Sequence, residues 1–226
     1  MNQPNIELII LDLDGTLYDI EDVIKSVFQT QISFLSLKTH KGYDEIKRLL
    51  MDNCVFPYVS NNSKSATELF AQMGFDKEEW TDYRNEHFDV STIQAEKSVK
   101  ENVINRLCKD FKVILLSSNT QSIIDKILSH LKISKDYFQE MVCSDRFPAS
   151  HHFNKKEAIE YLSGKYDVPY SRMISIGDRY QTDIKPMFEL GGMGILLHSP
   201  QHLGKVADDI KLRKLHTCKE YELYVV

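Results

Sequence analysis

The sequence predicts an α/β protein whose core is a doubly wound parallel sheet, with a small helical bundle inserted after the first strand. Three observations indicate this fold class. Short apolar runs recur along the chain, segments of helical periodicity separate them, and a long stretch between the first run and the second has helical patterns but no convincing strand. Alternation of strands and helices is typical of a parallel sheet with helices on both faces.

The apolar runs have the length and continuous hydrophobicity of strands that are buried on both faces. The first run, 6–13, contains an aspartate and precedes a glycine, so we expect it to lead into a tight turn. Two shorter segments are weaker candidates, namely 141–143 and an edge strand over 221–226. The remaining strong runs are 112–116, 172–176 and 194–197.

Apolar residues spaced three and four apart predict the helices of the core. We expect these helices at about 96–110, 120–131, 154–163 and 181–190. The stretch 19–95 is longer than a simple crossover requires and shows amphipathic patterns punctuated by Gly42, Pro57 and Gly74.

These patterns predict two domains. A helical domain of about four helices is expected at 19–95, and a core domain is expected to be formed by 1–18 together with 96–226.

The composition favours a small-molecule partner over a polymer or a membrane. The 226 residues carry a formal net charge of −5 without a basic block, which argues against binding nucleic acid or anionic lipid. The four cysteines show no paired spacing, so we expect reduced thiols. The start lacks a signal-peptide pattern and no run is long enough to span a membrane, so we expect a cytoplasmic protein, as a monomer or a homodimer.

Asp12 and Asp14 come at the end of the first strand, followed by Gly15. Period-two alternation points the two carboxylates the same way, and the glycine lets the backbone turn sharply. Ligands of open parallel sheets bind beyond the carboxyl ends of the strands, so this placement favours catalysis. A simple Asp-Gly turn is the alternative. A calcium loop is disfavoured because Val23 occupies the twelfth position, where that loop has glutamate.

Two further polar segments follow strands. Ser117-Ser118-Asn119-Thr120 precedes a helix, and its hydroxyls and free amides suit an anion, although helix capping is an equally compatible role.

The second polar segment, Gly177-Asp178 with Asp183, ends a later strand, so Asp178 is expected near Asp12. Acidic oxygen-only sites suit Mg²⁺, which makes Asp178 the natural metal ligand with Asp183 beside it. Capping of the following helix by Asp183 is the alternative, with Thr182 competing for that role.

Taken together and in this order, these motifs resemble the haloacid-dehalogenase-like hydrolase superfamily. The resemblance rests on Asp12-Leu13-Asp14-Gly15-Thr16, Ser118-Asn119 after a hydrophobic strand, a downstream lysine, and Gly177-Asp178 with Asp183. It covers about residues 5–18 and 100–200, and the helical insertion looks like the helical cap of that superfamily.

The resemblance implies a role for each matching residue. Asp12 is implied as the nucleophile, Asp14 as the general acid and base, and Ser118 as a hydrogen-bond donor to the phosphoryl oxygens. Asp178 is implied as a Mg²⁺ ligand alongside Asp12 and the main-chain carbonyl of Asp14, and Asp183 as a ligand or a neighbour of one.

The remaining residues that the resemblance implies would bind the substrate. Thr16 and Asn119 fall at substrate-binding positions of the pattern. The expected lysine is Lys155, because its spacing to Ala158 matches relatives that lack the usual proline, with Lys156 as the fallback.

Several other residues are candidates for a place in or near the site. His151 and His152 are adjacent on a loop without nearby acids and are expected at the surface. The cap residues expected to read the leaving group are Arg48, Tyr83 and Arg84. The aromatic residues Tyr58, Trp80 and Phe88 are candidates for stacking on a base or sugar, although aromatics at helical spacing are more often core.

The resemblance implies a Mg²⁺-dependent phosphohydrolase that acts on a small phosphate monoester, such as a sugar phosphate or nucleoside monophosphate, through an aspartyl-phosphate. Asp14 argues against a dehalogenase, because dehalogenating members of the superfamily do not keep an aspartate there. Two alternatives stay open: a phosphomutase of the same fold, and a non-catalytic binding or regulatory relative.

Overall fold

A computed structural model describes residues 5–53, 65–147, 153–215 and 218–225. Pro57, Tyr58, His151 and His152 lie outside the described residues. The chain divides into two compact units, one formed by Met1–Ile20 with Ile93–Val226 and the other by Glu21–Thr92. The boundaries predicted from the sequence lie after residues 18 and 95.

A six-stranded sheet forms the centre of the larger unit. Its strands are β1 (Leu8–Leu11), β2 (Lys112–Leu116), β3 (Glu140–Val142), β4 (Met173–Gly177), β5 (Met193–Leu197) and β6 (Tyr221–Tyr224). Their spatial order is β3-β2-β1-β4-β5-β6, and only the pairing of β6 with β5 is antiparallel. The predicted α/β fold class with its parallel sheet is thus confirmed, and the edge strand is antiparallel.

The order of the strands places a switch in direction at β1. The chain moves from β1 outwards to β2 and β3, and then returns to the other side of β1 with β4 and β5. Such a switch point opens a crevice at the carboxyl ends of the strands, where open α/β sheets bind their ligands. The central position of β1 explains its burial, since Leu8, Ile9, Ile10 and Leu11 are all buried.

The smaller unit contains α1 (Glu21–Thr39), α2 (Tyr43–Asp52), α3 (Ala66–Gln72) and α4 (Lys77–His87). The larger unit contains α5 (Glu101–Asp110), α6 (Gln121–Leu131), α7 (Lys155–Tyr166), α8 (Lys185–Glu189) and α9 (Leu203–Lys211). Within the described residues, no helix combines the length and the hydropathy that crossing a bilayer requires.

Two helices differ from the sequence prediction for identifiable reasons. The predicted helix at 96–110 begins only at residue 101, because the N–H of Val99 donates to the carbonyl of Leu17 at 2.8 Å and holds that segment against the first turn. The predicted helix at 181–190 is a π-helical turn at Tyr180–Ile184 followed by the short α8. Pro186 lacks an N–H and cannot complete a regular α-helical ladder there.

Apolar side chains fill the space between the sheet and its helices. Ile10 and Ile114 on neighbouring strands pack with Ala158, Ile159 and Leu162 of α7 in one buried cluster. The strand residues and the helix residues in this cluster are almost entirely buried. The start of α7 is thereby held at a defined place on the sheet.

Aromatic rings form the core of the helical unit. Phe34 is fully buried, and its ring lies 5.3 Å from that of Phe70, 5.1 Å from that of Trp80 and 5.3 Å from that of Tyr83. Trp80 is 2% exposed, and its indole N–H donates to Thr67 Oγ1 at 3.1 Å. These contacts make Trp80 a core residue, in line with the ordinary role of aromatics at helical spacing.

We predict that Phe34→Ala destabilises the helical unit by about 3–5 kcal/mol, because it removes a buried ring and leaves a cavity. Urea unfolding followed by tryptophan fluorescence measures this loss, since Trp80 is the one tryptophan of the chain and reports on this unit. Leu37→Ala on the same helix is the control, because Leu37 is 61% exposed. An unchanged midpoint for Phe34→Ala would contradict the assigned core.

Candidate active site

The carboxyl ends of β1, β2 and β4 bring polar residues from distant parts of the chain to one edge of the sheet. Asp12 follows β1 directly, and its N–H donates to the carbonyl of Ile176 in β4 at 2.9 Å. Asp178 follows the last residue of β4. The two aspartates therefore emerge side by side from adjacent parallel strands.

Gly15 lets the first turn approach Asp178 closely. Its φ is +73°, a left-handed conformation that glycine adopts without steric cost. A Cβ at this position would overlap the carboxylate of Asp178. The N–H of Leu17 donates to the carbonyl of Leu13 at 2.9 Å and closes the turn. A glycine is therefore required here both by conformation and by space.

Lys155 joins two of the acidic side chains. Its Nζ lies 2.6 Å from Asp12 Oδ1 and 2.7 Å from Asp183 Oδ1. Lys155 is the first residue of α7, and the side chain of Asn154 caps this helix by accepting the N–H of Lys156 at 2.9 Å. Lys156 points elsewhere and forms an ion pair with Glu189 at 3.1 Å. The structure thus brings Lys155, and not Lys156, into the acidic cluster.

Two residues that precede Asp183 in the sequence donate hydrogen bonds to its side chain. Its carboxylate accepts the N–H of Arg179 at 2.9 Å and the hydroxyl of Thr182 at 2.8 Å, and the side chain is buried. Gly177 makes room for it, since a Cβ on Gly177 would overlap the Asp183 side chain. Ile184 occupies the N-cap position of α8. The alternative in which Asp183 or Thr182 caps this helix is therefore wrong.

Asp14 has different surroundings from Asp12. The hydroxyl of Tyr18 donates to Asp14 Oδ1, and the side-chain amide of Asn119 donates to Asp14 Oδ2 at 2.7 Å. The resemblance implies a substrate-binding role for Asn119, whereas the structure shows it hydrogen-bonded to Asp14. The sequence does not indicate that Tyr18 folds back onto Asp14, because that contact depends on the geometry of the turn.

The remaining predicted residues lie in the two loops that follow β1 and β2. Ser118, two residues after β2, is exposed, whereas Ser117 before it is buried. Thr16 is fully buried, and its Oγ1 has no hydrogen-bond partner among the described residues.

Asp145 was not predicted and supports the loop after β2. Its Oδ1 accepts the N–H of Gln121 at the start of α6 at 2.9 Å, which satisfies a free amide of the helix N-terminus. The N–H of Ser144 next to it donates to the carbonyl of Asn119 at 3.0 Å. The loop after β3 therefore braces the loop that carries Ser118 and Asn119.

Burial and mutual repulsion shift the acid–base properties of the cluster. Burial, together with the charge of Asp183, raises the pKa of Asp178 to about 6. Burial also raises the pKa of Asp12, and the charge of Lys155 opposes this effect. For Lys155, burial acts to lower the pKa, but the charges of Asp12 and Asp183 outweigh it and raise the pKa.

The cluster fits a divalent cation. Asp12, Asp178 and Asp183 each offer a carboxylate oxygen, and these atoms all lie within 4.8 Å of one another. Asp178 Oδ1 is buried without a hydrogen-bond partner within the described parts of the chain. One lysine does not neutralise three carboxylates, and oxygen-only donor sets suit Mg²⁺. These residues could therefore hold a magnesium ion.

The residues proposed to read the leaving group lie in the helical unit. Arg48 is exposed on α2, and Tyr83 is partly buried against Phe34. Phe88 is 7% exposed, and Trp80 is 2% exposed. The two aromatic candidates in the described residues therefore lack an exposed ring face for stacking.

Comparison with known proteins identifies the family. The model of haloacid dehalogenase-like hydrolases matches residues 9–186. No curated protein matches the sequence.

Solved structures with the same fold include a HAD phosphatase from Thermococcus onnurineus, with 18% identity, a TM-score of 0.58, and coverage of 85% of this chain and 86% of the other. A predicted phosphoglycolate phosphatase from Haemophilus somnus has 19% identity, a TM-score of 0.57 and coverage of 92% and 98%. A HAD family enzyme from Bacteroides thetaiotaomicron, in complex with magnesium and inorganic phosphate, has 16% identity, a TM-score of 0.50 and coverage of 86% and 95%. The family match spans most of the sheet and the residues of the acidic cluster, and the chain belongs to the haloacid dehalogenase-like hydrolases.

Proposed function

We propose that the protein is a Mg²⁺-dependent phosphohydrolase that acts on a small phosphate monoester, of the sugar phosphate or nucleoside monophosphate class, through a phosphorylated Asp12. One observation carries the proposal. Two carboxylates from the same turn have opposite surroundings: Asp12 faces Lys155 and the acidic cluster, whereas Asp14 faces the neutral donors Tyr18 and Asn119. Such a pair suits a nucleophile and a separate acid–base group.

Asp12 is the proposed nucleophile. One of its carboxylate oxygens attacks phosphorus, the bond from phosphorus to the leaving oxygen breaks, and an aspartyl-phosphate forms. Lys155 holds this carboxylate in place from the start of α7 and neutralises charge that develops on the phosphoryl oxygens. Ser118, which is exposed two residues after β2, is the proposed hydrogen-bond donor to the same oxygens.

A magnesium ion held by Asp12, Asp178 and Asp183 would supply charge neutralisation for the phosphoryl group. Two of these three aspartates are held in place by their surroundings. Asp183 is fixed by Arg179 N–H and Thr182, and Asp178 is enclosed by the first turn at Gly15.

Asp14 is the proposed proton carrier. It donates a proton to the departing alkoxide in the first half-reaction and accepts a proton from the attacking water in the second, which releases inorganic phosphate and restores Asp12. Asp14 also favours this chemistry over dehalogenation, since dehalogenating members of the superfamily lack an aspartate at this position. The similarity in fold to the Thermococcus phosphatase and the Bacteroides enzyme with magnesium and phosphate agrees with the proposal.

The helical unit is the proposed cap. We expect it to exclude water from the reaction and to select the leaving group through polar residues such as Arg48 or Arg84.

Asp12→Asn is expected to abolish Mg²⁺-dependent hydrolysis of p-nitrophenyl phosphate, because an amide is a poor nucleophile toward phosphorus. Phosphate release measures the activity, and circular dichroism checks that the variant is folded.

A screen of sugar phosphates and nucleoside monophosphates with the wild type identifies the preferred ester. Undiminished turnover by the variant would refute Asp12 as nucleophile, and isomerised phosphate esters without phosphate release would indicate a phosphomutase.

Lys155→Met is expected to lower kcat/KM by about 100-fold or more, a loss typical of removing one transition-state charge contact. The matched control is Lys156→Met, which removes the neighbouring lysine from an exposed ion pair with Glu189 and is expected to stay within about twofold of the wild type. Steady-state kinetics on the same ester compares both variants. Equal losses in the two variants would contradict the assignment of Lys155.

Asp178→Asn is expected to suppress stabilisation by Mg²⁺. Ligand at about 100 times its Kd stabilises a folded protein by about 2.7 kcal/mol, so Mg²⁺ should raise the Tm of the wild type by several degrees. The variant should show little of this rise, and its Tm without Mg²⁺ should be at least that of the wild type, because a buried carboxylate repelled by Asp183 is removed. Differential scanning calorimetry with and without MgCl₂ measures both effects, and a full Mg²⁺ response in the variant would exclude Asp178 as a ligand.

A further inference from the structure

Asp14 lies between two hydrogen-bond donors that come from different parts of the fold. Tyr18 belongs to the same turn, and Asn119 belongs to the loop after β2, 105 residues along the chain. The closed turn after Gly15 brings Tyr18 back beside Asp14, and the two residues form an isolated bridge. Both oxygens of the Asp14 carboxylate thus accept a hydrogen bond from a fixed neighbour.

Tyr18 is a buried donor without freedom to turn away. Its side chain is fully buried, and a buried tyrosine hydroxyl needs a hydrogen-bond partner. Burial and the charge of Asp14 raise the pKa of Tyr18, which keeps the phenol protonated and able to donate. A phenylalanine would fill the same volume but could not orient the carboxylate.

Asn119 is anchored through its main chain on both sides. Its N–H donates to Ser117 Oγ at 3.1 Å, and its carbonyl accepts the N–H of Ser144 at 3.0 Å. The side-chain amide nitrogen faces Asp14 Oδ2, and an amide N–H can donate to a carboxyl oxygen whether or not Asp14 carries the proton that it transfers. Asn119 therefore presents its donor from a braced loop.

We propose that Tyr18 and Asn119 are positioning residues that fix the Asp14 carboxylate where it can reach the leaving oxygen. This inference rests on the proposed function and assigns Asn119 to Asp14 rather than to substrate. Proton transfer requires the carboxylate to be within hydrogen-bond reach of the reacting oxygen, and small misplacements of such a group are costly. Two donors on independent elements define both the position and the plane of the carboxylate.

The test compares two esters that differ in their need for a proton. Nitrophenolate leaves p-nitrophenyl phosphate without protonation, whereas the alkoxide of a sugar phosphate requires it. The value of kcat/KM reports the steps up to formation of the aspartyl-phosphate, so it isolates protonation of the leaving group. Tyr18→Phe and Asn119→Ala are each expected to lower kcat/KM about tenfold for the best sugar phosphate and less than about threefold for p-nitrophenyl phosphate.

Tyr221→Phe is the matched control. Tyr221 is also fully buried, and its hydroxyl donates to a carboxylate, Asp209 Oδ2, at 2.9 Å, in a part of the larger unit formed by β6 and α9. This variant loses the same kind of hydrogen bond and is expected to keep the wild-type ratio of the two kcat/KM values. Thermal unfolding of all variants separates losses of stability from losses of positioning.

Three outcomes would overturn the inference. Equal losses on both esters in Tyr18→Phe would indicate a structural role for the tyrosine. A rise in KM for both esters in Asn119→Ala, with kcat unchanged, would make Asn119 a substrate-binding residue. In these two cases, hydrolysis of the esters by the wild type would still support the proposed function. In the third case, a wild type that hydrolyses neither ester would refute the proposed function and this inference with it.

Discussion

The arrangement of this molecule depends on keeping several carboxylates together at one edge of a parallel sheet. Asp12, Asp178 and Asp183 repel one another in a largely buried place. Lys155 offsets part of this repulsion through ion pairs with Asp12 and Asp183. A lysine at the first position of a helix is opposed by the helix dipole, a modest cost that two carboxylates at hydrogen-bond distance outweigh. The apolar contacts of α7 with the sheet hold this lysine in register with the strand ends.

Much of the fold could be predicted from the sequence because its signals are local. The buried strands are continuous apolar runs, and aspartates that follow such runs must emerge at the edge where ligands bind, so Asp12 and Asp178 could be placed beside each other. The helical insertion could likewise be predicted, because residues 19–95 have amphipathic helical patterns and no run typical of a strand. The resemblance to a known family supplied the choice of Lys155 over Lys156, which periodicity alone did not separate.

Two of the features that escaped prediction depend on contacts between residues far apart in sequence. The late start of α5 follows from the hydrogen bond between Val99 and Leu17, and the bracing of the helix after β2 follows from Asp145, 24 residues beyond Gln121. The role of Tyr18 emerges only once the turn around Gly15 is known. The π-helical turn before α8 is related to Pro186, which is evident in the sequence. Proline near the start of a helix usually indicates a regular α-helix, however, so the π-helical turn could not be predicted from it.

Two glycines beside the acidic cluster have consequences for how the chain can vary. Gly15 and Gly177 carry no reactive group, yet every larger residue at either position would collide with an aspartate that belongs to the cluster. Substitution at these two sites is therefore restricted by steric exclusion. An engineer who wishes to reshape the crevice must leave both glycines untouched, because the space beside them is already filled by the acidic side chains.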